Sequence, residues 1–538
     1  MIPADGHYPV LIVGAGPSGL MMAAQLLRYG IQPIIIDSKK GPTTQSRALA
    51  VQARSMEIYR QMGLAEKALQ EGVQAETVSI QNDQKELILL SLQDLGKNDT
   101  PFPFVHLLEQ SKNERLLLDF LTLKCCPVYW NTTLTNFLQE ENQIKAYLES
   151  DDKRSTITAG WLIGADGAHS NVRKQLQIDF KGDAHANQFY LADVEFDQAF
   201  AGKQITLKLG NASFTALFPM KGLNRFRVVA ALPKAFAERE DVRFEEIEPD
   251  LAKALPANVE IKKCYAFSIY KLHHRMADNF RVKRSFLIGD AAHIHSPVGG
   301  QGMNTGLQDA YNLAWKLAGV INQNLQPAIL ESYAAERMPV VRKLLQTTDR
   351  FFNFINAQNP FNLFLRNHIL PKLIRFFRKQ EKFRTFGFRT ISQIGIDYRE
   401  SKISLHLSKA ENIKAGDRLP FIKIFDGKKQ QETDLHAWCQ KPGFTFIALG
   451  KLKENDLFNL ARWITQNYPQ QLNFFYLPFS AKNKAVFDSF EMKEDQHKAI
   501  IVRPDMHIGY LNDTVHVDLI DHYLQKFVGY YPSTKKPV

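Results

Sequence analysis

Acids placed at the ends of apolar runs, beside clusters of glycine, are the residues of this chain best suited to chemistry. The first cluster is Gly14-Ala15-Gly16-Pro17-Ser18-Gly19, directly after the strand-like run Val10-Leu11-Ile12-Val13. Gly14 permits a tight turn, Gly16 lets a pyrophosphate approach the backbone, and Gly19 lets the next helix lie against the sheet. N–H groups at the start of that helix then face phosphate oxygens. Leu20 to Tyr29 has helical composition, Gly30 can stop it, and Ile34-Ile35-Ile36 reads as the next buried strand. Asp37 closes that strand and can accept hydrogen bonds from a ribose. This order binds a dinucleotide, and NAD and FAD fit it equally.

Two distant segments narrow the choice. In Leu162-Ile163-Gly164-Ala165-Asp166-Gly167-Ala168-His169-Ser170-Asn171-Val172-Arg173 an apolar strand ends at a turn, and Ser170 is placed to cap a basic helix. In Phe286-Leu287-Ile288-Gly289-Asp290 a strand ends in an acid, followed by a loop holding Pro297, Gly299, Gly300 and Gly302, then Met303 and a helix from about Asn304 to Ala318. Such a loop has little side-chain bulk. It can press its backbone against a flat ring, and its N–H groups with the helix start can meet the O2 edge of a flavin. His293 and His295 lie in the same stretch without other close ligands, so they read as structural histidines and no metal is expected.

In this order the three segments resemble the group A flavoprotein hydroxylases, in the branch of phenol hydroxylase, pentachlorophenol monooxygenase and polyketide hydroxylases. GAGPSG, GADGAHSNVR and FLIGDAAHIHSPVGGQGMNTGLQDAYNLAWKL carry the likeness, and Tyr333, Glu336-Arg337 and Pro339 continue it. The resemblance implies that Asp37 holds the adenosine ribose, Asp290 the ribityl chain, and Pro297, Gly299, Gly300 and Gly302 the isoalloxazine. It places Arg47 and Arg54 near the pyrophosphate and flavin, brings Gln110 to the cofactor, and gives Asp166 an influence on NAD(P)H reactivity. The implied reaction is hydride transfer from NADH or NADPH to FAD, capture of dioxygen as a flavin C4a-hydroperoxide, and oxygen transfer to an electron-rich ring carbon. No segment identifies a contact that would choose between NADH and NADPH.

The base that would ionise a phenol is not identified. Some phenol hydroxylases carry an Asp where this chain has Leu49, so Leu49 is a candidate pocket wall. Tyr265, Tyr270, His273 and His274 fall in a region expected to border the pocket, each equally suited to packing. An epoxidase or another flavin oxidoreductase is the enzyme alternative. An FAD-binding protein with a degenerated pocket is the non-enzyme one.

These residues must be positioned by an α/β, Rossmann-like FAD-binding domain with an inserted antiparallel-sheet substrate domain and a C-terminal thioredoxin-like domain. The first is expected from 1–75, 105–180 and 281–345; substrate-binding and helical or lid regions from 76–104, 181–280 and 346–404; and the third from 405–538. Gln204 to Leu209 and Arg225 to Val229 read as strands of the insertion, and Phe444 to Leu449 as a central strand of the last domain. Cys439 is followed by Gln-Lys-Pro, so that domain lacks CxxC and no dithiol chemistry is expected.

With 538 residues and 45% hydrophobic content the chain can fill several cores. A net charge of +11 is spread without a long basic tract, which favours a solvated surface over nucleic-acid binding. Four cysteines without metal or redox spacing suggest a reducing compartment, and the start reads as a buried strand, so a cytoplasmic location is expected. No apolar run is long enough for a transmembrane segment. The Phe- and Arg-rich stretch 343–390 is expected to pack as helices, a lid or a homodimer contact, with a membrane-facing patch as its rival.

Overall fold

His7–Val13 loses its exposure along its length until its last four residues are buried, as a strand covered on both faces must. In the computed structural model it lies inside a sheet ordered Arg281–Val282, Ser285–Leu287, Lys153–Gly164, His7–Val13, Ile34–Ile36, Val128–Tyr129. Along this row all pairings are parallel except the first, which is a hairpin. Ile144–Ser150 adds antiparallel to Lys153–Gly164 and in turn pairs antiparallel with Thr133–Gln139. The structure describes residues 2–532 apart from 45–47, 83–84, 93–94, 152, 200–201, 211–213, 237–238, 240, 257, 296–299, 357–358 and 378–379. The Pro17–Arg28 helix packs against both the Gln110–Leu123 and Gly302–Ile321 helices. Gly302–Ile321 is longer at both ends than its sequence pattern suggests.

A second sheet runs His293–Ile294, Ile261–Ala277, Phe180–Phe196, Arg225–Ala231, Phe214–Pro219, Gln204–Leu209, Thr77–Gln81, Glu86–Ser91. It is the inserted sheet expected from 181–280, joined by strands from 77–91 through a parallel pairing that sequence alone does not show. Alternation gives it two faces. Tyr190, Val194, Phe226 and Val228 pack under Phe244, Ile247 and Leu251 of the Phe244–Ala252 helix, an element hidden within a stretch read as strand. Arg227, Phe218 and Ile205 lie on the opposite face, turned towards the Ala48–Ala50 segment.

The C-terminal sheet is ordered Leu405–Leu407, Ile508–Asn512, His497–Val502, Phe444–Gly450, Leu472–Leu477. Phe444–Gly450 is buried throughout, as expected, although the middle place belongs to His497–Val502. Burial pushes the Cys439 thiol up to about 12, which leaves it a core thiol. This sheet is fastened to the rest by buried charge. Arg503 grips Glu336 with two bonds of 2.7 and 2.8 Å and also binds Asp505, while Lys316 donates to Glu336 at 2.8 Å.

Candidate flavin site

The three glycine segments leave the parallel sheet at one level. Val13 pairs with both Ile36 and Gly164, and Gly164 pairs with Leu287. Gly14, Asp37, Asp166 and Asp290 therefore follow from neighbouring strand ends, where ligands of open α/β sheets bind.

Backbone contact closes this edge. Gly14 has φ +107, and a Cβ there would stand 2.2 Å from the Ala165 carbonyl oxygen. A Cβ on Gly19 would lie 1.9 Å from the Gly14 oxygen, and Ser18 Oγ would meet one on Gly289 or Gly306 at 2.3 or 2.2 Å. Gly16 differs. Its φ of −78 suits any residue, and a Cβ there would meet nothing within 4 Å. The protein interior does not require glycine at that position. An open backbone surface at a helix start is what a pyrophosphate needs, so the residues present fit a dinucleotide.

Asp37, 7% exposed, accepts from the Ala15 N–H at 2.7 Å and the Lys39 N–H at 2.8 Å. It shapes the glycine loop while its oxygens retain lone pairs for a ribose. Asp290 is exposed in the short turn Gly289–Ala291. Gly300 has φ +62 and presses on Ala50, whose Cβ is 2.7 Å from where its own would be. Gly302 opens the long helix, and Met303 is half-buried against the core.

Three side chains are engaged by the protein itself. Arg54 is buried in the interdomain seam, bonded to Glu57 at 2.9 Å and to the Asp505 carbonyl at 2.6 Å, so its guanidinium is committed away from the cradle. Asp166 accepts from Ser170 Oγ at 2.5 Å and from the Asn171 and Val172 N–H groups at 2.7 and 3.0 Å, which makes it a helix-start acceptor. Asn304 receives the Gln52 N–H and Ser55 hydroxyl and donates to the Ala50 and Gly300 carbonyls, all within 2.9 Å. Those four bonds exhaust an amide, so only its backbone can serve a cofactor. Arg47, Pro297 and Gly299 lie outside the described residues.

The Ala48–Ala50 segment, which carries the candidate wall residue Leu49, is held from several sides. Gln110 accepts from the Ala48 N–H at 3.2 Å and donates to Glu114 at 2.9 Å, and burial raises the Glu114 carboxyl. The Leu108 N–H binds the Leu49 oxygen at 2.7 Å. From the inserted sheet, Arg227 reaches the Ala48 oxygen at 3.2 Å while forking onto Asp193 at 2.7 and 2.8 Å. The Leu49 side chain is thereby held in an apolar cluster with Leu92, Leu107, Ile205 and Met220, flanked by Phe218. Arg227 and Asp193 were missed in the sequence. Directly paired across strands, they sit in a polar–apolar alternation that looks like an exposed edge.

The remaining candidates separate. Tyr270 is half-buried against Phe189. Tyr265 is 46% exposed and bonds Glu195 at 2.6 Å. His273 is half-buried and His274 is buried, on the long strand Ile261–Ala277. His293 meets Asp309 at 2.7 Å and is structural. Tyr333 donates to the Leu287 carbonyl at 2.7 Å and Arg337 to Asp309 at 2.7 Å, so both support the Asp290 strand from behind.

A sequence profile described as "FAD binding domain" matches residues 7–348. The chain is 37% identical to 6-methylpretetramide 4-monooxygenase of Streptomyces rimosus, over 64% of this chain and 61% of that protein. It is 31% identical to pentachlorophenol 4-monooxygenase of Sphingobium chlorophenolicum, over 78% of this chain and 77% of that one. Among solved structures, an aklavinone-11 hydroxylase with FAD and aklavinone shares the fold at TM-score 0.80 and 20% identity, covering 98% of this chain and 100% of that one. An anhydrotetracycline hydroxylase from Streptomyces rimosus does so at TM-score 0.78 and 24% identity, with 98% and 100% covered. The chain belongs to this FAD-binding family. Within the family it is one of the group A flavin-dependent monooxygenases.

Proposed function

We propose that the chain hydroxylates a phenolic or polyketide-like aromatic substrate, using bound FAD, NADH or NADPH as reductant, and dioxygen. The observation that carries this reading is the alignment of four strand ends around an open Gly16, with the apolar Leu49 wall beside the Gly300–Gly302 loop. Bound and reduced, FAD supplies activation of dioxygen and delivery of one oxygen atom to an electron-rich ring. The chain supplies the rest. Asp37 and the Gly14–Gly19 backbone hold the dinucleotide, and Asp290 offers an exposed carboxylate at the same edge. Leu49, Met220 and Phe218 exclude water from the acceptor, and Arg227 fixes the segment that carries Leu49. With leucine at position 49, the acceptor brings its own ring activation or meets its base elsewhere.

The domain limits given above and a thioredoxin-like character of the C-terminal sheet belong to the same reading. The mixed five-stranded order of the C-terminal sheet supports them. The test is purification of a yellow protein, oxidation of NADH and NADPH in air with phenols and polycyclic hydroxyquinones, and product mass. A gain of one oxygen on a ring carbon supports the reading; an epoxide redirects it. Absence of bound flavin defeats it.

A further inference from the structure

The helical stretch after Asn359 exposes apolar and cationic groups together. Phe361 (71%), Phe364 (54%), Leu373 (47%), Phe376 (68%), Phe386 (71%) and Ile391 (49%) stand open there. Isolated exposed apolar residues are ordinary, but such a concentration marks a surface that meets something. Between residues 360 and 391 the sequence also places eight Lys and Arg against a single acid, Glu381, and of these Lys372 and Arg384 are exposed.

The pattern is ordered. On the Leu370–Phe377 helix, Leu370, Leu373, Ile374 and Phe376 fall on one arc at 100° per residue, with Lys372 bordering it. Leu373 and Phe376, three apart, form an exposed apolar edge, and Lys372 is exposed as well. The stretch is not adrift. Phe388 is buried against Gly96, where a Cβ would stand 2.2 Å from its ring, and Arg389 is held by Asp99. The Leu370–Phe377 helix touches the edge strand Glu86–Ser91, whose Leu89 is 46% exposed. This anchorage adjoins Leu92 and Leu95, which belong to the Leu49 cluster and its flank.

Among the described residues no helix is long and apolar enough to cross a membrane. An apolar edge bordered by cations matches the surface of an anionic bilayer: Phe and Leu enter the acyl boundary while Lys and Arg meet lipid phosphates. A second copy of the chain fits poorly, because a two-fold interface would set this cationic patch against itself. A nucleic acid would meet the cations and leave Leu373 and Ile391 in water. We infer that the exposed face around Phe361, Lys372, Leu373, Phe376, Arg384 and Phe386 is a reversible docking face for an anionic lipid surface.

The test is co-sedimentation of the purified full chain with phosphatidylcholine vesicles and with vesicles containing phosphatidylglycerol, at low and high salt. Phe376→Ser and the double variant Lys372→Glu, Arg384→Glu are compared after thermal melts have shown them folded like the parent. Binding to phosphatidylglycerol vesicles is expected, with partitioning lowered about tenfold or more by high salt and by the charge reversals, and several-fold by Phe376→Ser. No binding to phosphatidylglycerol vesicles, or equal binding by the variants, overturns the inference. So does a dimer in sedimentation velocity that dissociates on Phe376→Ser, since the face would then be a self-contact. Tighter binding to duplex DNA than to vesicles has the same consequence.

Discussion

The edge of the parallel sheet and the seam under the C-terminal sheet both gather acids beside N–H donors and cations, yet they leave those groups in opposite states. At the sheet edge the backbone does most of the work, and Gly16 leaves it open. At the seam nothing is open: Glu336 accepts from Arg503, Lys316, Asn312 and Ser401, and its side chain is 1% exposed. Burial alone would raise the Glu336 carboxyl, but Arg503 and then Lys316 pull it well below the usual range. Burial pulls the Lys316 ammonium down to about 8 against the opposing attraction of Glu336. A saturated polar cluster fastens, because losing one member strands the others; an open backbone surface binds.

Breaking the seam has the largest expected effect. Glu336→Gln leaves Arg503 and Lys316 short of their shared carboxylate in a dry interior, and a loss of about 3–5 kcal/mol is expected in guanidinium unfolding. A variant as stable as the parent would show that the seam is dispensable.

Acid should loosen the same seam. His436 is buried beside Glu57 and Arg418, and burial, aided by Arg418, pulls its pKa from 6.5 to about 4. The unfolded chain takes this proton near the ordinary value and the folded chain does not. Its contribution is therefore complete above pH 6.5 and is lost as pH falls towards 4, amounting to about 3 kcal/mol at most. Thermal melts across that range should fall more steeply for the parent than for His436→Gln; parallel curves would contradict the assignment.

The sheet edge should respond differently. Gly16→Ala meets no atom within 4 Å and needs no unusual φ, so the flavin-free protein should melt with the parent. The new methyl would occupy the open surface, and FAD affinity should fall about 10–100-fold in a fluorescence titration, or ~1.4–2.7 kcal/mol. Unchanged affinity would move the pyrophosphate elsewhere. The smallest effect belongs to Leu49→Ala. NAD(P)H oxidation should continue while product formed per reductant drops about two- to fivefold, on the scale of ~0.4–1 kcal/mol, because a wetter pocket wastes activated oxygen.

The sheet edge was legible because its determinants are local. A strand, a glycine turn, a helix and a second strand follow one another from Val10 to Asp37, and each step has its own residue signature. The acids were legible as positions but not as roles. Asp166 and Asn304 fall where the motifs put them, yet their side chains hold the protein's own N–H and C=O groups. Arg54 shows the limit more sharply. Its place on the helix Ala53–Gln61 was readable, but the direction it faces depends on Asp505, far away in the chain.

By itself the sequence determined the order of the elements, the glycines at which the backbone must turn or lie open, and therefore the kind of cofactor. Those choices are made by residues a few places apart, through backbone conformation and period. Tertiary structure decided which charges are spent and which remain available. Asp193 with Arg227, Glu336 with Arg503 and Leu49 with Met220 become partners only when distant segments are brought together, because pairing and burial depend on that closure and not on residue type.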